Sequence, residues 1–139
     1  MTRDIADQLK NFGITNKKIQ QFDVYTVLDE IIDFPEVRVG QKRQKHEKRL
    51  IIILQNNKDN EDPLINVVLI APLSTSKEHH RLDYLLHKSK HQFLKEDSYI
   101  RLRYSQPILK VDLKKKCGTI DHLELRENIK DRLFNLFDF

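Results

Sequence analysis

The chain has 139 residues, the size of one domain, and its 39% hydrophobic and 33% charged residues describe a soluble globular protein with a busy surface. Its 25 Lys and Arg against 21 Asp and Glu leave a net charge of +4, which permits a polyanionic partner without requiring one. The lone Cys117 excludes an intramolecular disulfide and fits a reducing compartment. With no apolar run of about 18 residues and no charged-then-apolar leader, neither a membrane span nor a signal peptide is indicated, so a cytoplasmic protein is expected.

Residues 2–11 read as a short helix capped by Thr2, with Gly13 placed to end it. Ile19, Phe22, Val27, Leu28, Ile31 and Ile32 recur mostly at three and four residues, which predicts a helix over 16–34 that ends before Pro35. The competing reading makes DVYTVL, Asp23 to Leu28, a strand. On the helical reading, residues 1–36 form an N-terminal helical extension to a domain spanning 37–139. Val37 to Val39 would be the first short strand of that domain, followed by a loop from Gly40 to Lys48.

Leu50 to Leu54, LIIIL, reads as a strand buried on both faces. Gln55 to Pro63 has turn composition, and LINVVLIAPLSTS, 64–76, brings a second apolar strand back. Between 77 and 92 strand and loop are both open. Tyr99 to Tyr104 alternates as a strand, and Gln106 to Leu113 resembles another, interrupted at its start by Pro107. A turn over 114–119 leads to a helix opened by Asp121, whose Leu123, Leu125, Ile129, Leu133, Phe134, Leu136 and Phe137 make a face able to pack on a sheet. No internal repeat, low-complexity tract or interdomain linker is present. The architecture implied is a small, strongly curved sheet or barrel with helices at both ends.

The cations cluster in 42–49, 86–90 and 114–116. In the first cluster Lys42, Arg43, Lys45, Lys48 and Arg49 face a single acid, Glu47, directly before the first apolar strand. If the two central strands pair as an antiparallel hairpin, the start of one and the end of the other share an end of the sheet. Arg49 then lies near Ser74 and Thr75, and a cation beside a hydroxyl at the mouth of a basic loop is suited to holding a phosphate.

A cationic loop ending in Arg before an apolar strand, a second strand closing on APLSTS, then SYIRL, QPILKVDL and a Gly-containing turn with a terminal helix together resemble the MazF/PemK family of toxin endoribonucleases. The resemblance covers roughly residues 37 to 137 and rests on the order of several weak motifs. Two positions depart from the family pattern: Leu50 stands where Pro follows the Arg, and the family Thr falls on Ser74, with Thr75 beside it. The resemblance implies an α+β fold, a small SH3-like barrel with N-terminal helices and a C-terminal helix. It also implies the toxin of a type II toxin–antitoxin pair, a sequence-specific, metal-independent endoribonuclease acting on single-stranded RNA. A homodimer with an RNA groove across it, and a cognate antitoxin whose acidic segment occupies the same groove, are the implied partners. The family's catalytic Arg and Thr map to Arg49 and Ser74, with Thr75 the nearest substitute. Lys42, Arg43, Lys45, Lys48 and Gln106 are the candidate RNA contacts.

Such an enzyme uses the substrate's 2′-hydroxyl as nucleophile and needs no metal or other cofactor. It needs a base, an acid and a cation for the charge that builds on phosphate. Arg49 supplies the cation, but its pKa exceeds about 12 and makes it a poor base, so His46 is added as a candidate. The bland readings are that cations beside an apolar strand act as gatekeepers, that Ser74 and Thr75 end a strand, and that Lys42 to Lys48 is a solvated loop. A noncatalytic nucleic-acid-binding SH3-like barrel regulator is the alternative function, and an interaction domain meeting an acidic protein is a third. His79, His80, His87 and His91 have no Cys or carboxylate completing a ligand set at standard spacing, so no metal is expected. Cys117 reads as a packing or turn residue, Phe134, Phe137 and Phe139 as core or dimer contacts. Tyr99 and Tyr104 flank a basic strand and are candidates for stacking an unpaired base.

Overall fold

The computed structural model describes residues 17–35, 46–77 and 79–138 of the chain. The helix expected over 2–11, the strand Val37 to Val39 and the loop residues Lys42, Arg43 and Lys45 lie outside the described residues.

Seven strands form a curled antiparallel sheet: β1 Asp23–Leu28, β2 Lys48–Ile53, β3 Val67–Ser74, β4 Tyr84–Leu86, β5 Ser98–Ile100, β6 Gln106–Leu109 and β7 Lys116–Thr119. A short helix α1, Asn57–Glu61, sits between β2 and β3, and α2, Leu123–Phe137, closes the described chain. The strand order is β4-β5-β3-β2-β1-β7, with β6 also pairing β3. Strand β3 is the hub of this arrangement. One edge pairs β2, while the other is divided, with Val67 to Ile70 on β6 and Leu73 to Ser74 on β5. A strand that changes partners along its length cannot stay in one plane, so the sheet curls into a half-barrel.

The run expected to be buried on both faces is so: Ile51, Ile52 and Ile53 are all fully buried. Ile52 packs with Val24, Ala71, Leu73, Ile100, Leu102 and, from α2, Ile129. Ile51 and Ile53 point the other way, into a second cluster with Ile19, Tyr25, Val27, Ile32, Val68, Ile70, Ile108 and Leu113. Period-two alternation thus serves two apolar layers instead of one apolar and one wet face.

The helix predicted over 16–34 is not formed. Residues 23–28 are strand β1, paired on one side with β2 and on the other with β7, so the sheet begins inside the stretch expected to be a helical extension. Phe22 adopts φ 70°, which a right-handed helix cannot contain. The apparent helical spacing arises because Ile19 and Phe22 enter the core from the approach to β1, and Ile32 from beyond a 3-10 turn over Asp29–Ile31.

Other stretches depart from, or settle, the sequence reading. The expected strand over 99–104 stops at Ile100 and tightens into a 3-10 turn over Leu102–Tyr104. The turn expected over 114–119 contains β7, recruited by the free edge of β1. The open stretch 77–92 contains β4, and Gln55 to Pro63 contains α1, capped by the Asn56 side chain accepting from the Asp59 N–H. Pro107 is tolerated in β6 because that strand is bonded to β3 alone. On α2 the apolar face is narrower than expected. Ile129 is fully buried and Leu125, Leu133 and Leu136 are partly covered, whereas Leu123, Phe134 and Phe137 are exposed. No helix among the described residues is long and apolar enough to cross a membrane.

Candidate active site

Strands β2 and β3 pair with Ile51 opposite Pro72 and Ile53 opposite Ile70. Continuing that register two residues beyond Ile51 sets Arg49 across from Ser74, as the hairpin reading expected. His46, Lys48, Arg49, Leu50, Leu73, Ser74, Thr75 and Ser98 line one shallow pocket of about 150 Å³. The cation and both hydroxyls therefore meet at one end of the sheet.

The Arg49 side chain is held tightly. Its Nε donates to Asp29 Oδ1 at 2.5 Å and its Nη1 to the Leu73 carbonyl at 2.8 Å. Its guanidinium carbon lies 4.9 Å from the centre of the Phe34 ring, which in turn meets Tyr104 edge to face at 5.3 Å. Only 8% of the Arg49 side chain is exposed, against 3% for Asp29. A carboxylate buried to this degree needs a cation and further donors. Asp29 obtains them from Arg49 and from the His46 backbone N–H, 3.1 Å from Oδ2. The bonds of Arg49 to Asp29 and Leu73 use Nε and Nη1, so the guanidinium is anchored along one side where it lines the pocket.

Asp29 was missed by the sequence reading, which placed it inside a helix. Its signal is an acid directly after a strand that pairs with the strand carrying the arginine: Val27 faces Arg49 and Leu28 faces Lys48.

Around this pair the other candidates fall differently. Ser74 Oγ accepts from the Ser76 N–H at 3.2 Å, and Thr75, His46 and Lys48 are exposed at the pocket rim. Gln106 lies apart from this pocket and its amide is committed locally. Its oxygen accepts from the Asp33 N–H at 2.8 Å, and its nitrogen donates to the Tyr104 and Asp33 carbonyls at 2.8 and 3.1 Å. These bonds tie the segment after β1 to β6. Among the described residues no group of three or more His, Cys, Asp or Glu is placed to hold a metal ion.

Larger cavities lie elsewhere. One of about 840 Å³, between the 90–93 loop, β7 and the start of α2, contains Cys117, whose thiol pKa is raised chiefly by burial. Its size exceeds that of the Arg49 pocket, but no arginine lines it, so the chemistry is better sought at the smaller site.

A family model described as PemK-like, MazF-like toxin of type II toxin–antitoxin system matches residues 20–136. Among solved structures, Mycobacterium tuberculosis toxin MazF-mt6 is similar with a TM-score of 0.58 and 19% identity, over 67% of this chain and 89% of that one. Another, a crystal structure of an Mtb toxin, gives a TM-score of 0.54 and 18% identity over 63% of this chain and 90% of the other. No curated protein sequence matches. At these identities the structural likeness speaks for the fold.

Proposed function

Since the chain belongs to the PemK-like, MazF-like toxin family of type II toxin–antitoxin systems, we propose that it is a sequence-specific, metal-independent endoribonuclease that cuts single-stranded RNA. Membership implies an antitoxin partner. The observation that carries the catalytic reading is the meeting of Arg49 with Ser74 and Thr75 in one pocket. The substrate's 2′-oxygen attacks the adjacent phosphorus, the bond to the 5′-oxygen breaks, and the products are a 2′,3′-cyclic phosphate and a 5′-hydroxyl. Arg49 stabilises the charge that gathers on the non-bridging oxygens. Ser74, with Thr75 beside it, hydrogen-bonds the phosphate or orients the 2′-hydroxyl. His46 at the rim is the candidate proton acceptor. Lys48 is a candidate phosphate contact, and Lys42, Arg43 and Lys45 extend the basic loop in sequence. The protein acts as a homodimer in the cytoplasm on this reading.

The test is incubation of the purified protein with a long mixed-sequence RNA in EDTA, with DNA of the same sequence in parallel. Cleavage of RNA with DNA intact is expected, and mapping the cut ends gives the recognition sequence. Intact RNA would remove the proposal. One observation favours a noncatalytic nucleic-acid-binding barrel: Asp29 already neutralises Arg49. That reading gains if RNA is bound in a salt-sensitive way and never cut.

A further inference from the structure

Tyr99 on β5 is the ladder partner of Ser74 on β3. Side chains of directly opposed residues share a sheet face with Cβ atoms about 5 Å apart, so Tyr99 stands beside the hydroxyl of the candidate site. The His79 ring is stacked on Tyr99, with centroids 3.9 Å apart and planes 14° from parallel. Its Nδ1 lies 2.7 Å from the Lys77 carbonyl, which fixes the ring's orientation. Both rings line a groove of about 450 Å³ that continues past Arg81, His87 and Lys90 towards α2.

The charge of this groove is one-sided. Arg81 and Lys90 are exposed and have no ion-pair partner among the described residues. Of the acids, Asp83 is buried and lies with Oδ2 2.9 Å from Arg101 Nε, while Asp97 lies 3.8 Å from His87. A cationic trough beside a flat pair of stacked rings has the two elements by which single-stranded nucleic acid is held, phosphates along the charges and bases on the π-faces. An acidic protein would use the charges but has no need of the stack.

Building on the endoribonuclease reading above, we propose that this groove is an RNA subsite for nucleotides flanking the cut, with a base extending the Tyr99–His79 stack and backbone phosphates on Arg81 and Lys90. The subsite lengthens the RNA that the protein reads beyond the Arg49 pocket.

Binding of a fluorescent 2′-O-methyl RNA oligonucleotide of mixed sequence, which cannot be cut, tests this without relying on catalysis. The double variant Arg81→Ala/Lys90→Ala is expected to bind about tenfold more weakly and to lower the salt slope by about 0.7 per lost phosphate contact. His79→Ala is expected to weaken binding roughly fivefold or more with the slope unchanged. Lys58→Ala, on α1, serves as the control and binds as the parent does. In cleavage of long RNA the groove variants raise KM and leave kcat within about twofold.

Unchanged affinity and slope in both groove variants would overturn the subsite, as would a parent that fails to bind the oligonucleotide. Loss of polyglutamate binding with RNA binding intact assigns the groove to an acidic protein and equally overturns it. If the parent never cuts RNA but the groove variants still bind it less, the cleavage reading falls and the subsite stands. If the parent cuts and the variants bind and cut as it does, only the subsite falls.

Discussion

Arg49 has two tasks that pull in different directions. It faces the pocket with one edge of its guanidinium and neutralises a buried carboxylate with another. Truncation therefore does more than remove a phosphate ligand. Arg49→Ala takes the guanidinium away from the buried Asp29 and is expected to cost about 3–5 kcal/mol of stability along with all cleavage, so loss of activity in that variant alone does not isolate catalysis. Ser74→Ala is the cleaner probe. It should lower RNA cleavage about a hundredfold or more while chemical denaturation changes by no more than about 1 kcal/mol, since only one hydrogen bond, from the Ser76 N–H, is lost. Equal cleavage by Ser74→Ala and the parent would take the hydroxyl out of the mechanism. His91 offers a separate readout. Burial holds its pKa below the usual 6.5, with Lys90 and His87 adding to the effect and Asp121 opposing it. The folded value lies below the unfolded one, so the unfolded chain takes up the proton first. Stability is then full above about pH 6.5 and declines as pH falls through the lower folded value. His91→Gln should flatten the dependence of Tm on pH in that window.

Between elements, the loop joining β2 to β3 is fastened by a buried cation. Lys110, 2% exposed, donates from Nζ to the carbonyls of Asp59, Asn60 and Asp62 at 3.0, 3.2 and 3.0 Å. The Asp59 and Asp62 carbonyls also accept from the Asp62 and Ile65 N–H groups, and an ammonium has three donors to spread over the oxygens gathered at the end of α1. Burial pulls the Lys110 pKa down while Asp62 and Asp59 hold it up. Lys110→Met keeps the bulk and removes the donors, and should cost about 2–3 kcal/mol in urea denaturation. At the other edge of the sheet, β7 passes close over the 90–93 loop. A Cβ on Gly118 would meet Phe93 Cδ1 at 2.7 Å, so Gly118→Ala should cost about 1–3 kcal/mol through displacement of that ring. An unchanged denaturation midpoint in either variant contradicts the contact it probes. Two other bonds explain why 114–119 contains a strand: Thr26 accepts from the Lys114 N–H and donates its own N–H to the Lys115 carbonyl, which draws the segment onto β1.

For the whole molecule, the pairing of β3 with its neighbours, which also curls the sheet, is what turns two distant stretches into one site. The arginine at the start of β2 and the hydroxyls at the end of β3 are some 25 residues apart in the chain, and the antiparallel register alone brings them together. The same curl sets the Tyr99–His79 stack beside Ser74 through β5. If the protein works as a dimer, sedimentation at micromolar concentration should give about twice the 16.6 kDa of one chain. A monomeric mass would remove the groove expected across two copies and leave each Arg49 pocket to act alone.

The sequence by itself was enough for the apolar central strands, the terminal helix, and the approach of Arg49 to Ser74 and Thr75, because each follows from local pattern plus one antiparallel pairing. The tertiary structure alone decided that 23–28 is a strand, that Asp29 shares the arginine, that β7 completes the sheet and that the Gln106 amide is spent on the backbone. Apolar spacing records which side chains seek burial, whereas strand or helix here depended on strand edges supplied from 20 to 96 residues away. No window along the chain contains those partners together, so their effect becomes visible only once the sheet has closed.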